Sequence, residues 1–136
     1  MIATTLEQSN FLRFKLDQST ADMVWRYKMP GGYSLEVLHK EIFETIKQKD
    51  IPAWSLTALL EVMPTTIEID GLRYDLELFK AIDDDTDLPY YGVRYVYNDD
   101  YHLDYYESGS NIIEQAFAMV CILLENGYIK KGGNNE

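Results

Sequence analysis

The sequence predicts an α+β fold. An antiparallel four-stranded sheet, made of two hairpins in the C-terminal half, is covered on one face by a buried C-terminal helix and by N-terminal helices. Three observations lead there. Between Thr65 and Tyr105 apolar residues recur every second position in separate runs, an Asp-Gly pair sits between two such runs, and the last apolar stretch has helical length and capping residues.

Thr4 and Glu7 have capping-box spacing ahead of Phe11, Leu12 and Leu16, which predicts a short first helix interrupted at Ser19-Thr20. Ala21–Lys28 reads as extended, with Met23, Trp25 and Tyr27 on one side and Val24, Arg26 and Lys28 on the other. Met29-Pro30-Gly31-Gly32 must be a loop. Ser34 then offers an N-cap for a helix carrying Leu35, Leu38, Ile42 and Ile46 at helical spacing, ending near Lys47–Lys49. Pro52 forces a break. Ser55 caps a shorter helix bearing Leu56, Leu59, Leu60 and Met63, which Pro64 stops.

From Thr65 the period changes from 3.6 to 2. Ile67 and Ile69 precede Asp70-Gly71, and Leu72, Tyr74, Leu76 and Leu78 follow, alternating with Arg73, Asp75 and Glu77. Asp-Gly supports a two-residue hairpin because both turn positions take positive φ. The register then sets Ile69 opposite Leu72 and Ile67 opposite Tyr74. A second hairpin follows the loop Asp83–Asp87, its strands running through Tyr91, Val93, Tyr95 and Tyr97 and through Tyr101, Leu103 and Tyr105. A three-residue turn, Asn98-Asp99-Asp100, places Tyr97 and Tyr101 on one face. The outer face then collects Glu68, Asp70, Asp75, Glu77 and Asp104, relieved by Arg73, Arg94 and His102.

Asn111 and Glu114 form a capping pair for the closing helix, which is apolar almost all round and should bury Phe117, Val120 and Leu124. Gly127 is its expected C′ residue. The 136 residues fit one domain, 1–64 mainly a helical layer, 65–131 the two hairpins and closing helix, 132–136 a tail.

Composition narrows the function classes. The longest apolar run, Ala116–Leu124, is nine residues, far short of the roughly 20 that a membrane span needs. With no basic N-terminal segment leading an apolar stretch, and with Cys121 as the lone cysteine, a reducing cytoplasm is the expected setting. Net charge is −11, with residues 1–64 carrying −1 and residues 65–136 carrying −10. Such a surface repels phosphates, so direct nucleic-acid binding is not expected.

Candidate chemistry is sparse. Asp83, Asp85 and Asp87 match the first ligand positions of an EF-hand loop, but Leu88 stands where its Gly should be and Arg94 where its bidentate Glu should be. They are weak metal candidates. Glu36 and His39 form a Glu-x-x-His pair without the companion residues of a di-iron site. No dinucleotide, phosphate-loop or Cys-x-x-Cys motif is present, and no cofactor is implied. Tyr90 and Tyr106, read as outward-facing in a hairpin crowded with tyrosine, are candidate contact residues, joined by Asp75, Glu77 and Asp104.

Ser19-Thr20-Ala21-Asp22-Met23, the stretch from Ile51 to Pro64 around Trp54-Ser55-Leu56, Tyr90-Tyr91-Gly92-Val93-Arg94-Tyr95, and Leu124-Glu125-Asn126-Gly127-Tyr128 resemble segments of a group of small proteins carried by phages, prophages and other mobile elements of gut Bacteroidetes. That resemblance implies an accessory protein in a bacterial cytoplasm and carries no functional residues. The expected function is binding of a protein partner through an acidic face, without catalysis. The alternatives are a DNA-mimic inhibitor of a nucleic-acid-binding protein and a small metal-dependent enzyme.

Overall fold

The structure, a computed structural model, describes residues 2–29, 31–40 and 46–130. Two compact units divide them, one drawn from residues up to Glu61 and from Lys130, the other Val62–Ile129.

In the N-terminal unit, helix α1 (Leu6–Leu12) starts one residue later than the sequence predicts. Thr5, not Thr4, is the N-cap. Its hydroxyl accepts from Gln8 N–H while the Gln8 side chain accepts from Thr5 N–H. Thr4 is thereby freed for the core, where it is fully buried. Its Oγ1 accepts from Trp54 N–H at 3.1 Å and shares a 2.7 Å hydrogen bond with Ser9 Oγ. Its carbonyl accepts from Trp25 Nε1 at 3.1 Å.

Strands β1 (Met23–Lys28), β2 (Gly32–Val37) and β3 (Ile51–Ala53) form an antiparallel sheet in the order β2-β1-β3. This corrects the predicted helix from Ser34 and the mainly helical reading of residues 1–64. Tyr33, Leu35 and Val37 also alternate at period 2, and β1 offers them a complete antiparallel partner, Trp25 opposite Leu35 and Tyr27 opposite Tyr33. Tertiary pairing outweighs a helical spacing that isolated residues satisfy only weakly. The predicted helical positions at 41–45 lie outside the described residues. Pro52 sits within β3, a sheet edge, where its missing N–H is tolerated. Helix α2 (Leu56–Val62) follows as expected, with Ser55 Oγ accepting from Ala58 N–H.

In the C-terminal unit, β4 (Thr66–Ile69), β5 (Leu72–Ile82), β6 (Pro89–Tyr97) and β7 (Asp100–Gly109) lie in sequence order in one antiparallel sheet. The Asp70-Gly71 turn has both residues at positive φ, 52° and 82°, and sets Ile69 opposite Leu72 and Ile67 opposite Tyr74, as the sequence predicts. The two expected hairpins are joined by a third, β5 against β6, which closes around residues 83–88.

The β6–β7 turn differs from expectation. Asn98 and Asp99 both take positive φ, 48° and 66°, so the turn has two residues, with Tyr97 opposite Asp100 and Val96 opposite Tyr101. One residue fewer in the turn moves Tyr101 to the other face. An irregularity opposite Tyr95 then restores the alternation, and beyond it Arg94 pairs with Tyr106.

Helix α3 (Ile112–Glu125) packs against β6 and β7. Asn111 Oδ1 caps it by accepting from Ile113 and Glu114 N–H. Gly127 at φ 79° ends it in a Schellman motif, with Tyr128 N–H donating to Leu123 C=O and Gly127 N–H to Leu124 C=O. Val120 and Leu124 are buried as expected, with Ala116, Met119 and Leu123, but Phe117 is only partly buried. The inner face they cover holds Val93 and Tyr95, both fully buried, and the Tyr95 hydroxyl donates to Pro64 C=O at 2.7 Å. Residues 132–136, read as a tail, lie outside the described residues.

Candidate functional site

The predicted contact residues lead to the outer face of the four-stranded sheet, away from α3. On an antiparallel pair, residues directly opposite share a face. Glu77 opposite Arg94, Phe79 opposite Gly92 and Ala81 opposite Tyr90 therefore lie together, and Tyr106 joins them opposite Arg94. The Phe79 ring lies over Gly92, where any Cβ would collide with it. Glycine lets the aromatic ring lie against the backbone, and a larger residue there would have to displace it, an arrangement that also shields the strand.

The rings form a continuous strip. Phe79 meets Tyr90 edge-on at 6.0 Å between centroids and Tyr106 at 5.9 Å, and Tyr106 meets Tyr101 at 4.8 Å. The Arg94 guanidinium carbon lies 4.6 Å from the Phe79 ring centre and 5.6 Å from that of Tyr101, while Arg94 Nε donates to Glu77 Oε1 at 2.6 Å. The strip is partly open to solvent, and Tyr101 is 43% exposed. At one end the strip borders an open groove of about 550 Å³ whose walls include Tyr90, Tyr106, Asp83, Asp84 and Asp85.

Of the residues singled out in the sequence, Tyr90 and Tyr106 are brought together here, and Glu77 stands beside them. Asp75 lies on the same face opposite Val96, but its carboxylate is bonded to Arg73 Nε at 3.0 Å. Asp104 falls in the irregular stretch of β7. Its side chain is 82% exposed, and its carboxylate lies 3.9 Å from His102 Nδ1. The His102 ring contacts Tyr74 and Tyr105, so it stands on the inner side of the sheet, a correction to its expected place among the outer charges. The centre of the outer face is thus aromatic, and its carboxylates sit at the margins or against arginine.

The Asp83–Asp87 loop serves its own backbone. Asp83 Oδ1 accepts from Asp85 N–H at 2.8 Å and Thr86 N–H at 3.3 Å, and Asp87 takes φ 57° to turn the chain. Among the described residues no three His, Cys, Asp or Glu side chains converge as metal ligands. Glu36 lies on β2 rather than on a helix, 3.0 Å from Lys28 Nζ, and the hydrogen bond from Lys28, with another from Ser34 Oγ, draws its carboxyl below the usual range.

Sequence reasoning missed Phe79, Tyr101 and Arg94 as members of one cluster. Phe79 was legible as the residue that interrupts the polar series Arg73, Asp75, Glu77. Tyr101 required the turn length, and Asn98, a residue at ease with positive φ, was the available sign.

No family model, no curated protein and no solved structure matches the chain.

Proposed function

We propose that this chain is a non-enzymatic interaction protein that receives a positively charged segment of a protein partner on the outer face of its C-terminal sheet. The observation that supports this reading is the groove where Tyr90 and Tyr106 stand beside three aspartates. Ring faces attract cations through their quadrupole, and carboxylates at the rim supply the opposite charge. A lysine or arginine side chain of an extended peptide satisfies both at once, and the remaining strip of Phe79, Tyr106 and Tyr101 offers apolar surface to the residues beside it. The −11 net charge steers such a partner toward the molecule. A DNA mimic is less well supported, because Asp75 and Glu77 are occupied by Arg73 and Arg94 and rings fill the centre of the face. The accessory role for a phage or mobile element in a bacterial cytoplasm belongs to the same proposal. Among the described residues no helix is long and apolar enough to cross a membrane.

The test is calorimetric titration with an extended Lys/Arg-rich peptide and with its Glu-substituted counterpart. Binding of the basic peptide alone is expected, weakened about tenfold by Tyr90→Ala or by Asp84→Lys and reduced by added salt. Equal binding of both peptides, or affinity unchanged in both variants, would refute the site.

A further inference from the structure

The N-terminal unit contains two adjoining grooves whose described walls carry several cations. Arg13 caps the C-terminal end of α1, and its guanidinium carbon lies 4.5 Å from the centre of the Phe14 ring. Its Nε is buried and has no hydrogen-bond partner among the described residues.

Two adjoining grooves share Arg13 and Gln48 in their walls. The smaller, about 310 Å³, also has Gln18, Lys47 and Asp50; the larger, about 690 Å³, has Tyr27, Tyr33 and Lys49. Asp50 is already committed. Its Oδ2 accepts from Arg26 Nη1 at 2.7 Å and from Lys47 N–H at 3.1 Å, and its Oδ1 accepts from Tyr27 N–H at 2.9 Å. Among the described residues, the other carboxylate along these walls is Glu7, in the larger groove. Among the described residues, Arg13, Lys47 and Lys49 therefore leave a local positive excess on a chain of net charge −11. In the larger groove Tyr27 and Tyr33 meet edge to face at 5.7 Å, and Lys49 Nζ stands 4.9 Å from the Tyr27 ring centre.

We propose that these joined grooves bind a small molecule with a flat apolar body and an oxyanion, phosphate or carboxylate, the oxyanion accepting from Arg13 and Lys47 while the body lies against Tyr27 and Tyr33. Arginine offers its two Nη groups as a planar pair of donors, a fork that matches two oxygens of such a group, and lysine adds a point charge. This site is separate from the proposed peptide face, takes a ligand of opposite charge, and stands or falls independently of it.

The experiment follows the Arg Nε–Hε signals of ¹⁵N-labelled full-length protein during titration with phenyl phosphate, benzoate and inorganic phosphate. A saturable shift of the Arg13 signal is expected for phenyl phosphate or benzoate, at least about fivefold tighter than for inorganic phosphate, and the tighter of the two fixes which oxyanion the site prefers. Arg13→Gln should weaken binding about tenfold or more, and Arg13→Lys less, because charge remains but the fork is lost. Lys47→Gln, at an exposed position, should weaken it several-fold with the fold intact. No saturable shift up to about 10 mM of any probe, equal affinity for inorganic phosphate and both aromatic probes, or affinity unchanged in both Arg13→Gln and Lys47→Gln would overturn the proposal.

Discussion

The two units differ in how they hold their strands together. Residues 1–61 with 130–136 carry nine Lys/Arg and nine Asp/Glu, a net charge of zero, and both tryptophans. Residues 62–129 carry three and fourteen, a net of −11, and nine of the eleven tyrosines. In the N-terminal unit buried and half-buried polar groups link the segments. Thr4 joins Ser9, Trp25 and Trp54; Thr20 Oγ1 accepts from Trp54 Nε1 at 2.9 Å; Asp22 accepts from both Ser55 N–H and Ser55 Oγ; and Arg26 meets Asp50. In the C-terminal unit a long three-hairpin sheet buries an apolar inner face under α3, and its charges lie outside. A short sheet of three strands buries little on its own and needs directional bonds to fix its geometry, whereas a longer one is fixed by the alternation of its side chains.

The sharpest way to break this contrast is to strike the polar links. Trp54→Ala removes a fully buried side chain together with its indole hydrogen bond to Thr20, and should cost about 5 kcal/mol by urea titration. Asp50→Ala should follow at about 3–4 kcal/mol, because Arg26 is left buried without its main partner. A loss below about 1 kcal/mol in both would mean that the N-terminal unit does not depend on its polar links.

Asp50 also gives that unit a pH signature. Burial alone would raise its pKa, but hydrogen bonds from Tyr27 N–H, the Arg26 side chain and Lys47 N–H outweigh burial and hold it below the ordinary value. A depressed folded pKa gives stability that is fully present above the unfolded value near pH 4 and is lost as pH falls through the folded one. Hydrogen exchange should accordingly show Tyr27 and Lys47 amides losing protection below about pH 4, and Asp50→Asn should remove that dependence.

Smaller effects are expected where the C-terminal unit is struck at polar groups. Tyr95→Phe leaves the Pro64 carbonyl without its donor and should cost about 1–2 kcal/mol, and Asn111→Ala should cost about 1 kcal/mol through loss of the α3 cap. The smallest expected effect is chemical. Burial, aided by Glu125, pushes the Cys121 thiol up to about 11, so labelling by a thiol reagent should be slow at neutral pH and accelerate steadily as pH rises toward that value. Fast labelling at pH 7 would show that α3 does not shelter this thiol.

Where backbone chemistry is local, the residues alone determined the outcome. Asp70-Gly71 specifies its turn and register because both positions demand positive φ, and Asn111 and Gly127 mark the ends of α3 for similar reasons of cap geometry. The alternation of Leu72, Tyr74, Leu76 and Leu78 determined which face of the C-terminal sheet is buried. The tertiary structure decided what depends on a distant partner. Residues 33–37 satisfy both a helical and an extended period, and pairing with β1 made them a strand. Arg26 and Asp50 are 24 positions apart, and the antiparallel alignment of β1 with β3 brings them together. Tyr101 turned outward because Asn98 and Asp99 close the chain in two residues and the sheet absorbs the difference opposite Tyr95. An aromatic strip on the outer face is therefore a property of register, and register is set by the whole sheet rather than by any segment within it.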